Sequence, residues 1–118
     1  MNRHNKISDL ASGRFILDHL ERFGSKLDQK HPFTFWLYFP TRELAEKATE
    51  RAIKSGFKVE ISYSDFIKTN LQWLCLLYCP HVPDENLLDG IKDFCMNLSE
   101  EFNGMFDGWE TEIILPKE

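Results

Sequence analysis

Apolar and polar residues alternate from residue 33 to 39. Phe33, Phe35, Leu37 and Phe39 fall on one side of an extended chain, and Thr34, Trp36 and Tyr38 on the other. This predicts a strand, ended by Pro40. Thr41 can cap the helix that follows. That helix is expected to run to about Ser55, with Leu44, Ala45, Ala48 and Ala52 inward, and Gly56 closes it. Phe57, Val59, Ile61 and Tyr63 then alternate with Lys58, Glu60 and Ser62, a second strand. Residues 71–79 are apolar at nearly every position, which fits a central strand covered at least in part on both faces. After Pro80, Pro83 and Asp84, a helical stripe of Leu87, Leu88, Ile91, Phe94, Cys95, Leu98 and Phe102 leads to Asn103-Gly104. Ahead of all these, residues 7–24 are predicted helical, with Ile16, Leu20, Phe23 and Leu27 as apolar positions and Ser8 or Ser12 as cap. Residues 25–32 form a polar connector ending at a proline.

The stretch Phe106-Asp107-Gly108-Trp109-Glu110-Thr111 closes the pattern. Gly104 can supply the left-handed residue past a helix end. Asp107-Gly108 reads as a second tight turn or a bulge. A last strand is expected from Trp109, with Trp109, Thr111, Ile113 and Leu115 on one face and Glu110, Glu112 and Ile114 on the other. The order is then a helix followed by β-α-β-β-α-β. This is the α+β, ferredoxin-like sandwich with an extra N-terminal helix. Residues 1–118 are expected to form a single domain, with 7–24 the appended helix and 33–115 the core. The first and third of these strands should be central and adjacent, with the fourth and second at the edges. The sheet face carrying Trp36 and Tyr38 would be a large apolar patch if bare. Either the N-terminal helix or a partner should cover it.

Charge sharpens this picture. The net charge is −5. Residues 1–80 hold twelve basic and nine acidic residues, whereas residues 81–118 hold two basic and ten acidic ones. A dense basic patch for nucleic acid is missing. The acids Asp84, Glu85, Asp89, Asp93, Glu100 and Glu101 on one predicted helix would instead attract basic protein surface. An ordinary solvated helix face is the plainer reading of the same residues. No apolar run is long enough to span a membrane, and the N-terminal residues lack a signal-peptide pattern. A cytoplasmic protein with reduced Cys75, Cys79 and Cys95 is expected.

Candidate chemistry is sparse. Cys79 and His81 are close in sequence, but strand residues Cys75 and Cys79 stand too far apart to share one zinc. His4, His19 and His31 are placed on a surface helix or tails, so no nucleophile–base pair is expected. No phosphate loop or nucleophile elbow occurs. Glu110 and Glu112 would share a strand face, with nothing to indicate the cleft that acid–base work needs. Trp36, Tyr38 and Trp73 offer rings for RNA stacking, without the accompanying basic run. We expect no enzyme, no metal and no cofactor. An RNA-binding or small-molecule-sensing module is the alternative.

Three stretches resemble one family. They are Phe15-Ile16-Leu17-Asp18-His19-Leu20; the helix with Leu44-Ala45-Glu46-Lys47-Ala48 through Gly56-Phe57-Lys58-Val59; and Phe106-Asp107-Gly108-Trp109-Glu110-Thr111. The sequence is similar to the B-type regulators of ribonuclease E activity, the RraB or ribonuclease E inhibitor family. The resemblance implies a non-enzymatic protein that binds ribonuclease E through that enzyme's basic scaffold region and modulates RNA decay. An acidic surface suits such a partner. The residues expected to form it are Asp84, Glu85, Asp89, Asp93, Glu110 and Glu112. Phe106, Asp107, Gly108 and Trp109, which match the family signature, are expected to be structural. Trp109 should anchor the start of an edge strand.

Overall fold

The computed structural model describes residues 12–64 and 71–116, together with the backbone of residues 6–7. The elements run β1 (Lys6–Ile7), α1 (Gly13–Arg22), β2 (His31–Phe39), α2 (Arg42–Lys54), β3 (Lys58–Tyr63), β4 (Trp73–His81), α3 (Glu85–Glu101) and β5 (Met105–Glu110). The result is a mixed α+β architecture on an antiparallel sheet ordered β1-β5-β2-β4-β3. The long strands β2 and β4 are central and adjacent, as the pattern predicts. β3 is an edge. β5 is not, because Ile7 and Lys6 of β1 pair with its Trp109 and Glu110. Residue 7 thus belongs to a strand and not to the first helix. The remainder of the expected helix start, residues 8–11, lies outside the described residues.

Polar residues start each helix. Ser12, Thr41 and Asp84 accept from the backbone N–H groups of Phe15, Leu44 and Leu87. Each cap contributes about 1 kcal/mol. The inward row Phe33, Phe35, Leu37 and Phe39 of β2 forms the floor of the core. Ala45, Ala48 and Ala52 of α2, together with Leu88, Ile91, Cys95 and Leu98 of α3, cover it. Ile16 and Leu20 of α1 join the same cluster, so α1 lies beside α3 on the helical side of the sheet. Phe23, expected inward, is 56% exposed, because α1 ends at Arg22 and the chain turns away.

The first helix therefore does not cover the opposite sheet face. Trp36 and Tyr38 there are nonetheless buried, at 2% and 6% exposure. They are not an open stacking platform. Trp73 is half-buried, with Tyr63 edge-on and Arg42 over its ring.

The last strand departs most from the sequence reading. β5 ends at Glu110, close to where a strand was expected to begin, and residues 111–116 are irregular. A register shift explains this. Trp109 pairs with Phe35, and Phe106 with Leu37, so Asp107 and Gly108 together stand opposite the single residue Trp36. This is a β-bulge. Gly108 adopts φ 95°, a conformation open to glycine and strained for other residues. The bulge puts Phe106 and Trp109 on the same inward face, which an unbroken two-residue period would forbid. Upstream, the left-handed residue that ends α3 is Asn103, with φ 58°, and not Gly104. Gly104 is needed for space, since a Cβ there would strike the Tyr38 carbonyl and the Phe39 ring.

Candidate functional site

The six acids expected to form one surface occupy separate places. Asp84, Glu85, Asp89 and Asp93 belong to α3 or its cap. Glu110 pairs in register with Thr34, on the sheet face away from the helices, where its charge and that of Glu60 act on Tyr78. Burial, followed by those two carboxylates, pushes the Tyr78 phenol up. Glu112 is exposed but lies beyond the strand, so it does not share a strand face with Glu110.

Two of the α3 acids hold the fold. Asp89 Oδ1 accepts the Gly13 N–H at 2.6 Å, satisfying an orphan donor at the start of α1. Glu85 pairs with Arg14 at 2.9 Å. Gly13 sits so close to α3 that a Cβ would strike the Glu85 carbonyl. Asp84 caps its own helix but stays exposed, and Asp93 is exposed on the crest of α3. A partner can therefore reach Asp84, Asp93 and Glu112 without dismantling a contact between helices.

On its other flank, α3 faces the turn after α2 and Cys79 of β4 across an open groove of about 460 Å³. Phe57, Cys79, Leu87, Gly90, Ile91 and Phe94 line it. The Phe57 and Phe94 rings stack with centroids 5.3 Å apart. Further along the same seam, Arg51 makes two 2.7 Å hydrogen bonds to Glu101 and lies over the Phe102 ring. That pairing holds the exposed Glu101 carboxyl below its ordinary range.

Trp109 is 2% exposed and meets the Phe33 ring edge-on at 5.9 Å. It is a core residue rather than a contact for a partner. Its indole N–H and the Thr111 hydroxyl are buried without a hydrogen-bond partner among the described residues. Phe106 is likewise buried, and Asp107 and Gly108 form the bulge.

A serine–histidine pair was not anticipated. His31, expected on the surface, is fully buried at the start of β2. It shares parity with Phe33 and Phe35, and that signal in the sequence could have placed it inward. Its Nδ1 donates to the Gln29 carbonyl at 2.8 Å, which leaves Nε2 to accept the Ser25 hydroxyl at 2.6 Å. Ser25 Oγ in turn accepts the Ile114 N–H at 2.8 Å, and Lys26 N–H donates to the Ile114 carbonyl. The arrangement has the spacing of a nucleophile and its base. It acts as a clasp between the connector before β2 and the segment after β5. Neither the apolar groove nor the charged cleft at Arg51 reaches it.

The thiols are quiet. Burial pushes Cys75 up to about 11, with partial relief from the Thr49 hydroxyl, and pushes Cys79 and Cys95 up as well. No group of three or more His, Cys, Asp or Glu among the described residues could hold a metal ion. Among those residues no helix is long and apolar enough to cross a membrane.

No curated protein matches the sequence. The family model described as Regulator of ribonuclease activity B, RraB, matches residues 11–111. That span runs from the start of α1 through the bulge and Trp109 to Thr111, and so contains both seams of α3. With most of its length matched from first helix to last strand, the chain belongs to the Regulator of ribonuclease activity B family.

Proposed function

We propose that this protein is a non-catalytic, cytoplasmic regulator that binds ribonuclease E and modulates RNA decay by protein–protein interaction. The family match across residues 11–111 carries the reading. Members of that family regulate ribonuclease activity, which implies a protein partner. The frame we assign is a ferredoxin-like sandwich, supported by the adjacency of β2 and β4 and the outer place of β3. Free cysteines suit a reducing compartment.

The docking surface we assign is the exposed acidic side of α3 with the segment after β5, centred on Asp84, Asp93 and Glu112. Ten acidic against two basic residues over 81–118 favour a basic partner segment. Glu85 and Asp89 contribute charge there while engaged with α1. Glu110, on the far sheet face, serves as a control. The test is binding of purified ribonuclease E to the wild type, to Asp93→Lys/Glu112→Lys and to Glu110→Lys, at low and high salt. Wild-type binding should weaken with salt, because exposed charges are screened beyond about 8 Å at physiological ionic strength. The double reversal should lose about tenfold in affinity at low salt, with the fold intact. Glu110→Lys should bind like the wild type. Absence of wild-type binding at low salt would refute the partner, and equal losses in both variants would refute the surface.

A further inference from the structure

Six glycines occur in the sequence, and five have a reason internal to the fold. Gly24, Gly56 and Gly108 hold positive φ. A Cβ on Gly13 or Gly104 would strike neighbouring backbone. Gly90 is different. It lies inside α3 with no positive φ, and a Cβ there would meet no described atom within 4 Å. Glycine inside a helix destabilises it relative to alanine, which would fit here without any clash. Gly90 also lines the apolar groove between α3 and the turn that follows α2. The missing side chain leaves the helix backbone bare at the mouth of a groove whose walls are Phe57, Leu87, Ile91 and Phe94. A conformationally costly glycine with open space above it is accounted for when another molecule approaches that backbone closely.

The groove's volume, about 460 Å³, is within the range of ligand sites. Its lining is largely apolar, with Asn86 and Ser55 as the side chains able to orient a ligand. Small-molecule sites add several convergent polar groups to such a lining. An anchoring side chain from a protein needs none, because the segment carrying it is held outside the groove. Exposed Asp84 and Asp93 flank the lining run of α3, while Lys54 beside the opposite wall is paired with Glu50 at 3.2 Å. Among the described residues of α3 and its cap, the exposed charges are all acidic.

We infer that the groove under Gly90 takes an aromatic side chain presented by a basic segment of a partner protein. This rests on the reading that the partner is basic, and it adds an anchor to a surface otherwise defined by charge. Burying one aromatic in a desolvated pocket is how interface hot spots gain most of their affinity.

The test titrates the full chain with two short lysine-rich peptides, one with a central tryptophan and the other with alanine in its place. Amide NMR reports the site. The tryptophan peptide should bind about tenfold more tightly and shift the Gly90 and Asn86 amides. In Gly90→Leu, which fills the groove, the preference should vanish while the melting temperature holds or rises. Gly90→Ala should raise the melting temperature and lose part of the preference. Equal binding of the two peptides, or a preference that survives Gly90→Leu, overturns the inference. So does indole alone shifting the same amides at concentrations as low as the tryptophan peptide, which would mark a small-molecule site. A chain that prefers the tryptophan peptide at Gly90 yet ignores ribonuclease E keeps the groove assignment and rejects the named partner.

Discussion

The two flanks of α3 are built in opposite ways. Toward α1 the seam is shut. Gly13 lets the backbones touch, Asp89 caps the start of α1, and Arg14 reaches Glu85. Toward α2 the seam is tied at Arg51–Glu101 and left open at Gly90. Both flanks contain a glycine. On one side its bareness lets two helices approach, and on the other it leaves a groove. Neither composition nor charge distinguishes the two, because what matters is which backbone lies opposite. The shut seam also takes two of the acids that a charge count would assign to a partner.

Adding a single methyl group should break the shut flank. Gly13→Ala should cost about 1–3 kcal/mol in chemical unfolding, because its Cβ meets rigid backbone and not a flexible side chain. Unchanged stability would mean that α1 is not packed against Glu85. A smaller loss, about 1–2 kcal/mol, is expected for Asp89→Ala, which strips the Gly13 N–H of its acceptor. Asp89→Asn keeps an acceptor oxygen and should recover most of it. If alanine and asparagine behave alike, the contact is electrostatic and not a cap.

The smallest expected effect, on the open flank, is kinetic. In the native protein Cys79 should be the first thiol alkylated, since it lines the groove and is half-buried, whereas Cys75 and Cys95 are buried. Its raised pKa means that little thiolate exists at neutral pH, so the rate should climb as pH rises past the ordinary thiol range. Mass spectrometry after timed labelling at several pH values measures this. Native-state labelling of Cys95 as fast as that of Cys79 would show the α3 packing to be wrong.

Local signals carried much of the fold. Ser12, Thr41 and Asp84 all cap helices, the parity of β2 sorts its floor from its outer face, and Ala45, Ala48 and Ala52 lie where a close helix–sheet contact needs small residues. Features set by distant parts of the chain were not legible. Asp107-Gly108 reads as a turn or a bulge and is a bulge, but that pairing with β2 continues upstream of it to Met105 is fixed by the partner strand. Gly90 looks like any weak helix residue until Phe57 and Cys79 stand across a groove from it. The acids share a sequence segment, yet the strand carries Glu110 to the far side of the sheet while α1 engages Glu85 and Asp89. His31 was legible by parity, but its polarity argued for the surface, and only the Ser25 and Gln29 partners make its burial affordable.

The bulge at Asp107-Gly108 also bears on how this strand can vary. Phe106 and Trp109 share the core because two residues stand where β2 has one. Removing either residue of the pair would restore simple alternation opposite Trp36 and leave both aromatics inward, with the bulge gone. Substitution at Asp107 leaves the frame intact, and so does the loss of one residue of the pair, so the face that the two aromatics take should survive either change.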